Sequence, residues 1–508
     1  MDFPTAMTTP AHPPWRRAAA GAALVLLALY GVLLVRHVGA VAGGSDSSGY
    51  MNHARLLAAG RIHVQPRTLA GLPQAGLPTF LYVPLGFKPA WNGDGIVPTY
   101  PTGLALFVLA LKPLAGWTHA GDAVIVLHSI AGLLATYLLC RMAGLGRRWA
   151  AVGAAVIGLS PLYLFMSLQA MSDVPSLVWT TLAVMAAWKS RERAPWALAA
   201  GAAMALDVLL RPTNVLAFIP VGIALGASPR RWIHLIIGGL PGAVFFGAHS
   251  VAAYGSFATT GYGDNSLAFL ARYVPATLLH YARWLPALFT PLAALALGLP
   301  WIGAAGARTR WILGTWVLAY AAFYSSYEYT HESWWYLRFL LPAAPALVAA
   351  SLLVLRALLS RAPGWIDPGR SLPALAALLA LVASCCAWET HSLSALSVGA
   401  DEQRYGRLAD WLQRSVPPDS VILAMQASGA LFYYTKFTII RWDTLDQANV
   451  GRVETAIRAS KRPLYAVLFP FEAAESRVLE TRMPGHWSQV GSVNDVTIWR
   501  RDFDAAKP

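Results

Sequence analysis

Residues 18–50 of this 508-residue chain read AAAGAALVLLALYGVLLVRHVGAVAGGSDSSGY, an apolar run followed by glycine, serine and one aspartate. The apolar part, Ala18 to Val35, is long enough for a helix that crosses a hydrocarbon core about 30 Å thick. Asp46 therefore lies where a membrane helix emerges into water. Because carboxylates are costly near hydrocarbon, an ionisable group held there is a candidate for chemistry.

The composition extends the membrane pattern to most of the chain. Hydrophobic residues make up 56% and charged residues 13% of it, and the mean hydropathy is +0.48. Apolar stretches of helix-spanning length recur from Ala18 to His391, more than one soluble core can hide. The sequence therefore predicts a polytopic α-helical membrane protein over residues 18–391, followed by a more charged domain over residues 392–508.

The positive charges predict the orientation in the membrane. The net charge is +14, but the basic residues form short clusters between apolar runs rather than one nucleic-acid-binding patch, so nucleic acid is not an expected partner. By the positive-inside rule, all the clusters are cytoplasmic. They are Arg16 with Arg17, Arg141 with Arg147 and Arg148, Lys189 with Arg191 and Arg193, Arg230 with Arg231, Arg308 with Arg310, and Arg356 with Arg361 and Arg370.

This orientation requires about eleven spans. They are predicted at 18–38, 121–140, 149–167, 173–188, 196–210, 213–227, 232–253, 285–306, 311–326, 337–356 and 372–391. The N-terminal tail, residues 1–17, is then cytoplasmic, and the first outer loop, 43–100, and the C-terminal domain are periplasmic. The apolar segment 101–117 is interpreted as a helix lying at the interface, because counting it as a span would invert everything after it.

The C-terminal domain alternates between helical and strand periodicities. Helices are expected up to Pro417, at Gly429–Tyr434 and at Val450–Ala459, and strands at Val421–Met425, Thr438–Trp442 and Val496–Trp499. The alternation continues through Leu464–Phe469 and Glu472–Arg482. It predicts a small three-layer α/β domain. The domain contains no glycine-rich phosphate loop or catalytic triad, so a separate enzyme activity is not expected.

With this topology, the remaining charged residues of the membrane domain meet on the outer side. They are Asp46, Asp173, Arg211, Arg338, Glu328, His331 and Glu332. The alternatives are structural: Asp46 and Asp173 could cap helices, and Arg211 could pair with Asp207 four residues earlier. Residues 327–335 could form an interfacial aromatic belt, and His331-Glu332 fails as a zinc motif because Trp335 stands where the second histidine is required.

Acids and arginines at one interface suit a reaction in which a lipid phosphate leaves and a hydroxyl or amine attacks. A carboxylate can accept the proton of the attacking group as general base. Guanidinium groups can hold the phosphate through paired, charge-assisted hydrogen bonds and stabilise the charge that develops on it.

The chain resembles the GT-C glycosyltransferases, in particular bacterial relatives of the family 39 protein O-mannosyltransferases and the aminoarabinose transferases. The resemblance extends from about residue 18 to 350. It rests on Ser45-Asp46 through Tyr50, Ala54 to Leu57, Tyr100-Pro101-Thr102-Gly103, Ser172-Asp173, Leu210 to Thr213, and Arg338 to Pro342 with Pro345. The motif at Tyr100 departs from the family, which more usually has a second proline there.

The resemblance implies an integral inner-membrane enzyme that moves a sugar, with inversion, from a polyprenyl-phosphate donor to a lipid, glycan or protein acceptor on the periplasmic face. It implies catalytic roles for Asp46 and Asp173 and donor-phosphate contacts from Arg211 and Arg338. Tyr50, Tyr100, Glu328, His331 and Glu332 are candidates for binding acceptor or sugar. A divalent metal remains open as a cofactor. The C-terminal domain could help to bind the acceptor.

Two other functions remain as alternatives. A lipid or polysaccharide transporter predicts polar residues at mid-membrane depth and broken spans in matching halves of the chain; beyond Asp207, the sequence shows neither. A polysaccharide polymerase favours a large loop late in the chain, whereas here the large loop follows the first span.

Overall fold

The computed structural model describes residues 14–70, 72, 77–303, 305–360, 362–474 and 477–503. Most of the predicted cytoplasmic tail and Arg361 lie outside this part of the chain. The N-terminal elements are α1 Pro14–His37, α2 Ser45–Ala58, a short hairpin of β1 Phe87–Pro89 and β2 Ile96–Pro98, α3 Thr102–Met142, α4 Arg147–Leu159, α5 Pro161–Met166, α6 Asp173–Lys189, α7 Trp196–Leu210 and α8 Phe218–Leu225.

The later membrane helices are α9 Pro229–Tyr254, α10 Val274–Leu288, α11 Ala307–Ser325, α12 Ala344–Leu359 and α13 Leu372–Ser392. They are joined by 3₁₀ segments at Pro212–Ala217, Ser266–Ala268, Ala271–Tyr273, Pro291–Trp301, Glu328–His331 and Trp334–Ala343.

The described residues contain four helices long and apolar enough to cross a membrane alone: Thr102–Met142, Pro229–Tyr254, Trp334–Leu359 and Leu372–Ser392. A bent pair of helices makes a possible fifth. Other predicted spans are short: α4 has 13 residues, about 20 Å at the helical rise of 1.5 Å per residue, less than a hydrocarbon core. The count of eleven spans therefore stays a prediction.

One predicted boundary is wrong, and another agrees with the structure. A non-helical residue, Gly116 at φ 67°, breaks Thr102–Met142 into two helices, and the first ends where the predicted helix 101–117 ends. Its place at the membrane interface stays a prediction. The predicted span 285–306 begins inside α10 and is broken before Pro291, where Thr290 has φ 64°. The helical axis turns by 112° between α10 and the 3₁₀ segment Pro291–Trp301, a break that hydropathy alone did not reveal.

The helices differ in how much of their surface the protein covers. In the most apolar 18-residue window of Trp334–Leu359, 94% of the residues are buried, against 11% in that of α13 and 17% in that of α9. The helix ending at Leu359 therefore forms the centre of the membrane domain, packed by residues such as Trp316 and Tyr320 of α11. In contrast, α9 and α13 present apolar surface outward, as expected of helices in contact with lipid.

The C-terminal domain contains a five-stranded sheet between two layers of other elements. Its elements are α14 Val398–Ser415, β3 Val421–Leu423, α15 Ser428–Tyr434, β4 Thr438–Ile440, a 3₁₀ turn at Trp442–Thr444, α16 Val450–Ser460, β5 Leu464–Leu468, α17 Pro470–Ala474, α18 Val478–Thr481, β6 Trp487–Val493 and β7 Val496–Arg501. The strand order is β4-β3-β5-β7-β6, with β4, β3 and β5 parallel and the last two strands antiparallel.

This arrangement is the three-layer α/β domain expected from the sequence, with two differences. Glu472–Arg482 forms two short helices rather than one element, and the sequence analysis missed β6, whose residues are mostly exposed and polar. One face of the sheet packs against α14 and α15. The other face packs against α16, α18 and the first outer loop, which contributes Leu69, Leu72, Leu81 and Tyr82 to the same core.

Candidate active site

The first turn of α2 carries Asp46. Its Oδ1 accepts a 2.6 Å hydrogen bond from the Tyr100 hydroxyl, and its Oδ2 lies 2.9 Å from Nη2 of Arg338. The residue preceding the helix is Gly44, so Asp46 is not the helix cap. Both carboxylate oxygens point to side chains that lie 54 and 292 residues away along the chain. The capping alternative for Asp46 is therefore wrong.

A second acid–arginine pair lies at the start of α6. Oδ1 of Asp173 is 2.8 Å from Nη1 of Arg211; Asp173 is buried, and 11% of the Arg211 side chain is exposed. The cap position belongs to Ser172, so the capping alternative is wrong for Asp173 as well. Arg211 reaches Asp173 because α7 ends at Leu210 and the backbone of Arg211 is extended, with φ −156°.

The predicted pairing of Arg211 with Asp207 is wrong for the same reason. The spacing of four residues aligns two side chains only on a continuous helix, and Arg211 lies just beyond the last helical residue. Asp207 instead accepts 2.6 Å hydrogen bonds from the hydroxyl of Thr180 and the amide of Asn214. This buried carboxylate therefore holds α6, α7 and the following 3₁₀ segment together.

Tyrosines connect the two acid–arginine pairs. The Tyr50 hydroxyl donates to Oγ of Ser172, beside Asp173, and its ring centroid lies 5.2 Å from that of Tyr100. The guanidinium carbons of Arg211 and Arg338 lie 5.2 and 5.3 Å from the centre of the same ring, Phe339. The structure thus brings together six predicted residues from distant parts of the chain: Asp46, Tyr50, Tyr100, Asp173, Arg211 and Arg338.

A close backbone approach sets the position of this cluster. A Cβ atom on Gly103, in the first turn of α3, would lie 2.5 Å from the backbone nitrogen of Leu210 at the end of α7. Only glycine fits that gap, which brings Tyr100 and Arg211 to the same end of the helix bundle. Leu104 and Leu210 belong to one buried apolar cluster beneath the site.

The remaining three predicted residues lie in the next segment. Glu328 and His331 belong to a 3₁₀ turn before Arg338; Glu328 accepts a 3.4 Å hydrogen bond from Tyr273, and the His331 ring stacks on Tyr273 at 5.7 Å. Glu332 follows that turn. Among the described contacts, none of the three bonds to the six-residue cluster. They form a flank of the site around Tyr273.

Sequence reasoning missed three residues of the site. Ser45 Oγ is 2.9 Å from the Tyr100 hydroxyl, Ser172 accepts from Tyr50, and the Tyr262 ring stands edge-on to Tyr100 at 6.1 Å. The two serines precede the two predicted acids directly, which was a usable signal. Tyr262 lies in the connection between α9 and α10, and it is held near Tyr100 because Gly261 packs directly on the carbonyl of Thr99.

The electrostatics of the cluster favour neutral tyrosines and charged pairs. Burial and the neighbouring Asp46 carboxylate raise the pKa of Tyr100, so its hydroxyl remains a hydrogen-bond donor. Burial is also the main cause that raises the pKa of Tyr50. Each carboxylate has one guanidinium partner, so the cluster has no net charge when all four groups are ionised. Nε of Arg338 is buried and has no hydrogen-bond partner among the described residues.

The donor set does not fit a metal ion held by protein side chains. The described residues include no group of three or more His, Cys, Asp or Glu side chains that could hold a metal ion. The two carboxylates of the site are each engaged by an arginine.

The site and the basic cluster at Lys189 lie at opposite ends of the same helix. Asp173 begins α6, and Lys189 ends it 16 residues later, a separation of about 24 Å at the helical rise. Two of the basic clusters also meet other segments: Arg356 donates to the carbonyl of Gly144, and Arg148 donates to that of Gly369.

No family model matches the chain, and no curated protein sequence matches it. Its coordinates, however, are similar to solved structures. One is ArnT from Cupriavidus metallidurans bound to undecaprenyl phosphate, with a TM-score of 0.59 and 13% identity over 96% of this chain and 100% of that one. The Archaeoglobus fulgidus oligosaccharyltransferase in the apo form follows, with a TM-score of 0.53 and 13% identity over 89% and 70% of the two chains.

A third similar structure is the arabinofuranosyltransferase AftD from Mycobacteria, with a TM-score of 0.53 and 15% identity over 94% of this chain and 39% of that one. The chain has the GT-C fold. The match to ArnT leaves 4% of 508 residues unaligned, about 20 residues. The shared GT-C fold therefore includes most of the C-terminal domain as well as the membrane helices.

Proposed function

We propose that this protein is an integral membrane glycosyltransferase that uses a polyprenyl-phosphate-linked sugar as donor and a lipid, glycan or protein as acceptor. The observation that carries the proposal is the Asp46 carboxylate held between Tyr100 and Arg338, next to the Asp173–Arg211 pair. The GT-C fold adds support, because ArnT, which shares it, has been crystallised bound to undecaprenyl phosphate.

Asp46 is the general base in this proposal. Its carboxylate accepts the proton of the acceptor hydroxyl or amine while the acceptor atom attacks the anomeric carbon. The bond between the anomeric carbon and the phosphate oxygen breaks on the opposite side, which inverts the configuration. The electron pair leaves with the polyprenyl phosphate, and the proton stays on Asp46. Of the two acids, Asp46 suits this role because 26% of its side chain is exposed, against 2% for Asp173.

Arg338 is the first candidate to hold the donor phosphate. Among the described residues, one guanidinium nitrogen is bonded to Asp46, Nε has no hydrogen-bond partner, and Nη1 is bonded only to Sδ of Met171 at 3.8 Å. A guanidinium can hold a carboxylate on one edge and a phosphate on the other, and it stabilises the charge that develops on the leaving group. Arg211 lies close by, with its guanidinium carbon 5.2 Å from the centre of the Phe339 ring that Arg338 also approaches.

The proposal places the reaction on the periplasmic face of a bacterial inner membrane. The basic clusters mark the cytoplasmic side by the positive-inside rule. The positions of Asp173 and Lys189 at the two ends of α6 support an outer position for the reacting cluster.

Cells that produce the native chain or the variant Asp46→Asn provide the test. Mass spectrometry of envelope glycolipids and glycoproteins should reveal a sugar-modified product that requires the native chain. The variant should insert at a normal level and lose product by a factor of about 100 or more, since a general base contributes 10²–10⁴-fold. Full product from Asp46→Asn would remove the catalytic assignment.

Donor recognition is measured separately with undecaprenyl phosphate as the probe. We expect native mass spectrometry of the purified protein to show binding that Arg338→Ala weakens. The matched control is Arg283→Ala, which removes an exposed arginine of α10 outside the cluster. Equal binding by both variants would contradict the phosphate role of Arg338.

A further inference from the structure

The C-terminal domain holds the chain segment that leads into Asp46. The hydroxyl of Tyr434 accepts the backbone N–H of Ala42 at 3.2 Å, and Oε2 of Glu402 accepts that of Gly44 at 3.3 Å. Glu402 also takes a hydrogen bond from the side chain of Ser47. Three of the six positions from 42 to 47 are thus bonded to the C-terminal domain.

Glu402 brings a carboxylate to the N-terminus of α2, which has no side-chain cap. The residue before α2 is Gly44, and the backbone N–H of Gly44 and the side chain of Ser47 donate to Glu402. A carboxylate at a helix N-terminus also interacts favourably with the positive end of the helix dipole. Here that carboxylate comes from α14, 358 residues further along the chain.

The fit around Glu402 is tight. A Cβ atom on Gly43 would lie 1.8 Å from its Oε2 and 2.6 Å from its carboxyl carbon. At the start of α14, Gly399 packs equally closely on the backbone of His37 and Gly39 at the end of α1. The carboxylate therefore has little freedom to move relative to residues 43–47.

The rest of α2 rests on α15 of the same domain. The side chain of Asn52 donates to the carbonyl of Gly429 at 3.0 Å. Arg55 donates to the carbonyl of Tyr433 at 2.6 Å and lies 3.4 Å above its ring. Glu402 thus contacts the first turn of α2, and α15 supports the later turns of the same helix.

We propose that Glu402 is a positioning residue for sugar transfer, which holds the first turn of α2 from the C-terminal domain and thereby sets the position of Asp46. The inference rests on the proposed role of Asp46 as base. It gives the C-terminal domain a part in the reaction that requires no contact with donor or acceptor.

The charge on Glu402 changes near neutral pH. The groups that face it are Asp46 from α2, Arg404 and Tyr405 from α14, and Tyr434 from α15. Burial raises the pKa of Glu402 to about 7; its hydrogen bonds to Gly44 and Ser47 and the charge of Arg404 oppose the rise, and the charge of Asp46 adds to it. An ionised carboxylate accepts hydrogen bonds more strongly than a protonated one, so the hold on α2 strengthens as the pH rises through about 7.

The central test is Glu402→Gln, which keeps the shape and removes the charge. In membranes that contain endogenous donor and acceptor, we expect product to form about tenfold more slowly, as for the weakening of one charge-assisted hydrogen bond. The increase in rate through pH 7 should disappear, and undecaprenyl phosphate should bind as in the native protein. The control Asp410→Asn changes an exposed acid of the same helix and should leave rate and pH profile unchanged.

A double-mutant cycle tests the contact from its other side. Gly43 is not one of the positive-φ glycines, so alanine suits its backbone and only the clash with Glu402 opposes it. We expect Gly43→Ala to slow transfer, and Gly43→Ala combined with Glu402→Ala to be no slower than Glu402→Ala alone. Such non-additivity is expected only of residues in contact. Additive losses would overturn the contact.

Hydrogen exchange separates this inference from the proposed function. The amides of residues 45–48 should exchange faster in Glu402→Gln than in the native protein, whether or not Asp46 proves to be the base. Unchanged exchange together with an unchanged rate would overturn the positioning role of Glu402. Faster exchange alongside an active Asp46→Asn variant would instead refute the assignment of the base.

Discussion

The two acid–arginine pairs have nearly the same geometry but different surroundings. The Asp46–Arg338 pair is 2.9 Å apart, with 26% and 14% of the two side chains exposed. The Asp173–Arg211 pair is 2.8 Å apart, with 2% and 11% exposed. The first pair joins the outer helix α2 to the centre of the membrane domain, and the second joins two membrane helices. Although the two distances are nearly equal, the pairs suit different roles. The accessible pair suits the reaction, and the buried pair suits a structural role.

Neutralising one acid of each pair should give the largest contrast. Asp173→Asn leaves the Arg211 charge buried without its partner, which costs about 3–5 kcal/mol of folding free energy. Asp46→Asn changes a carboxylate that is 26% exposed, and we expect it to cost less, about 1–3 kcal/mol. Thermal unfolding of the two purified variants in detergent measures the difference. Similar losses of stability would show that the two pairs are not distinct in role.

Protonation of Glu402, which holds the helix that carries Asp46, should change the stability of the protein with pH. Its pKa of about 7 in the folded protein lies above the ordinary value of 4.5, so its contribution to stability is full below pH 4.5 and is lost as the pH rises through 7. Glu402→Gln should flatten that decline by about 3 kcal/mol.

Unfolding midpoints measured from pH 4.5 to 8 check this expectation, with Asp410→Asn as the control. The sign is opposite to that expected for activity, which increases over the same range. A stability profile in which the native protein and Glu402→Gln decline in parallel would remove Glu402 as the titrating group.

Replacing each arginine by lysine tests how the guanidiniums differ. Lysine keeps the charge but loses the planar fork that holds two acceptors at once. Arg338→Lys should weaken undecaprenyl phosphate binding by about tenfold, or 1.4 kcal/mol, with little change in stability. Arg211→Lys should mainly lower the unfolding temperature. The reverse pattern would exchange the roles of the two arginines.

The smallest expected effect concerns the hydroxyl of Tyr100. Tyr100→Phe removes the 2.6 Å hydrogen bond to Asp46 and should lower the transfer rate about fivefold, the equivalent of about 1 kcal/mol for one hydrogen bond. Tyr262→Phe is the matched control, since Tyr262 contacts Tyr100 through its ring. Product formation in membranes compares them, and equal rates would show that the hydroxyl of Tyr100 does not orient the base.

The sequence located the members of the site better than their partners. The order of motifs and the positive-inside rule were enough to bring Asp46, Asp173, Arg211 and Arg338 to one face. The partner of Arg211 could not be predicted, because it depends on where α7 ends. The helix ends at Leu210, so Arg211 is the first residue outside it. The role of Glu402 could not be predicted from the sequence either. A glutamate in an amphipathic helix is usually exposed to solvent, and only the packing of α2 against α14 shows that this one is not.

The sequence also predicted some secondary-structure elements better than others. The alternation of strands and helices in the C-terminal domain was readable because buried strands such as Leu464–Leu468 are continuously apolar. The exposed edge strand Trp487–Val493 has no such pattern and was missed. In the membrane domain, hydropathy found apolar segments but not the break at Thr290, where φ is positive. Local backbone conformation, which hydropathy does not encode, decided that boundary.

The shared core beneath the C-terminal sheet has a consequence for biosynthesis. Leu69, Leu72, Leu81 and Tyr82 emerge early from the ribosome, yet they pack against strands made from residues 421–468. The apolar side chains between residues 69 and 82 therefore stay uncovered until residues 421–468 have been made and folded. A product that stalls before α15 would leave the helix that carries Asp46 without the partners of Asn52 and Arg55.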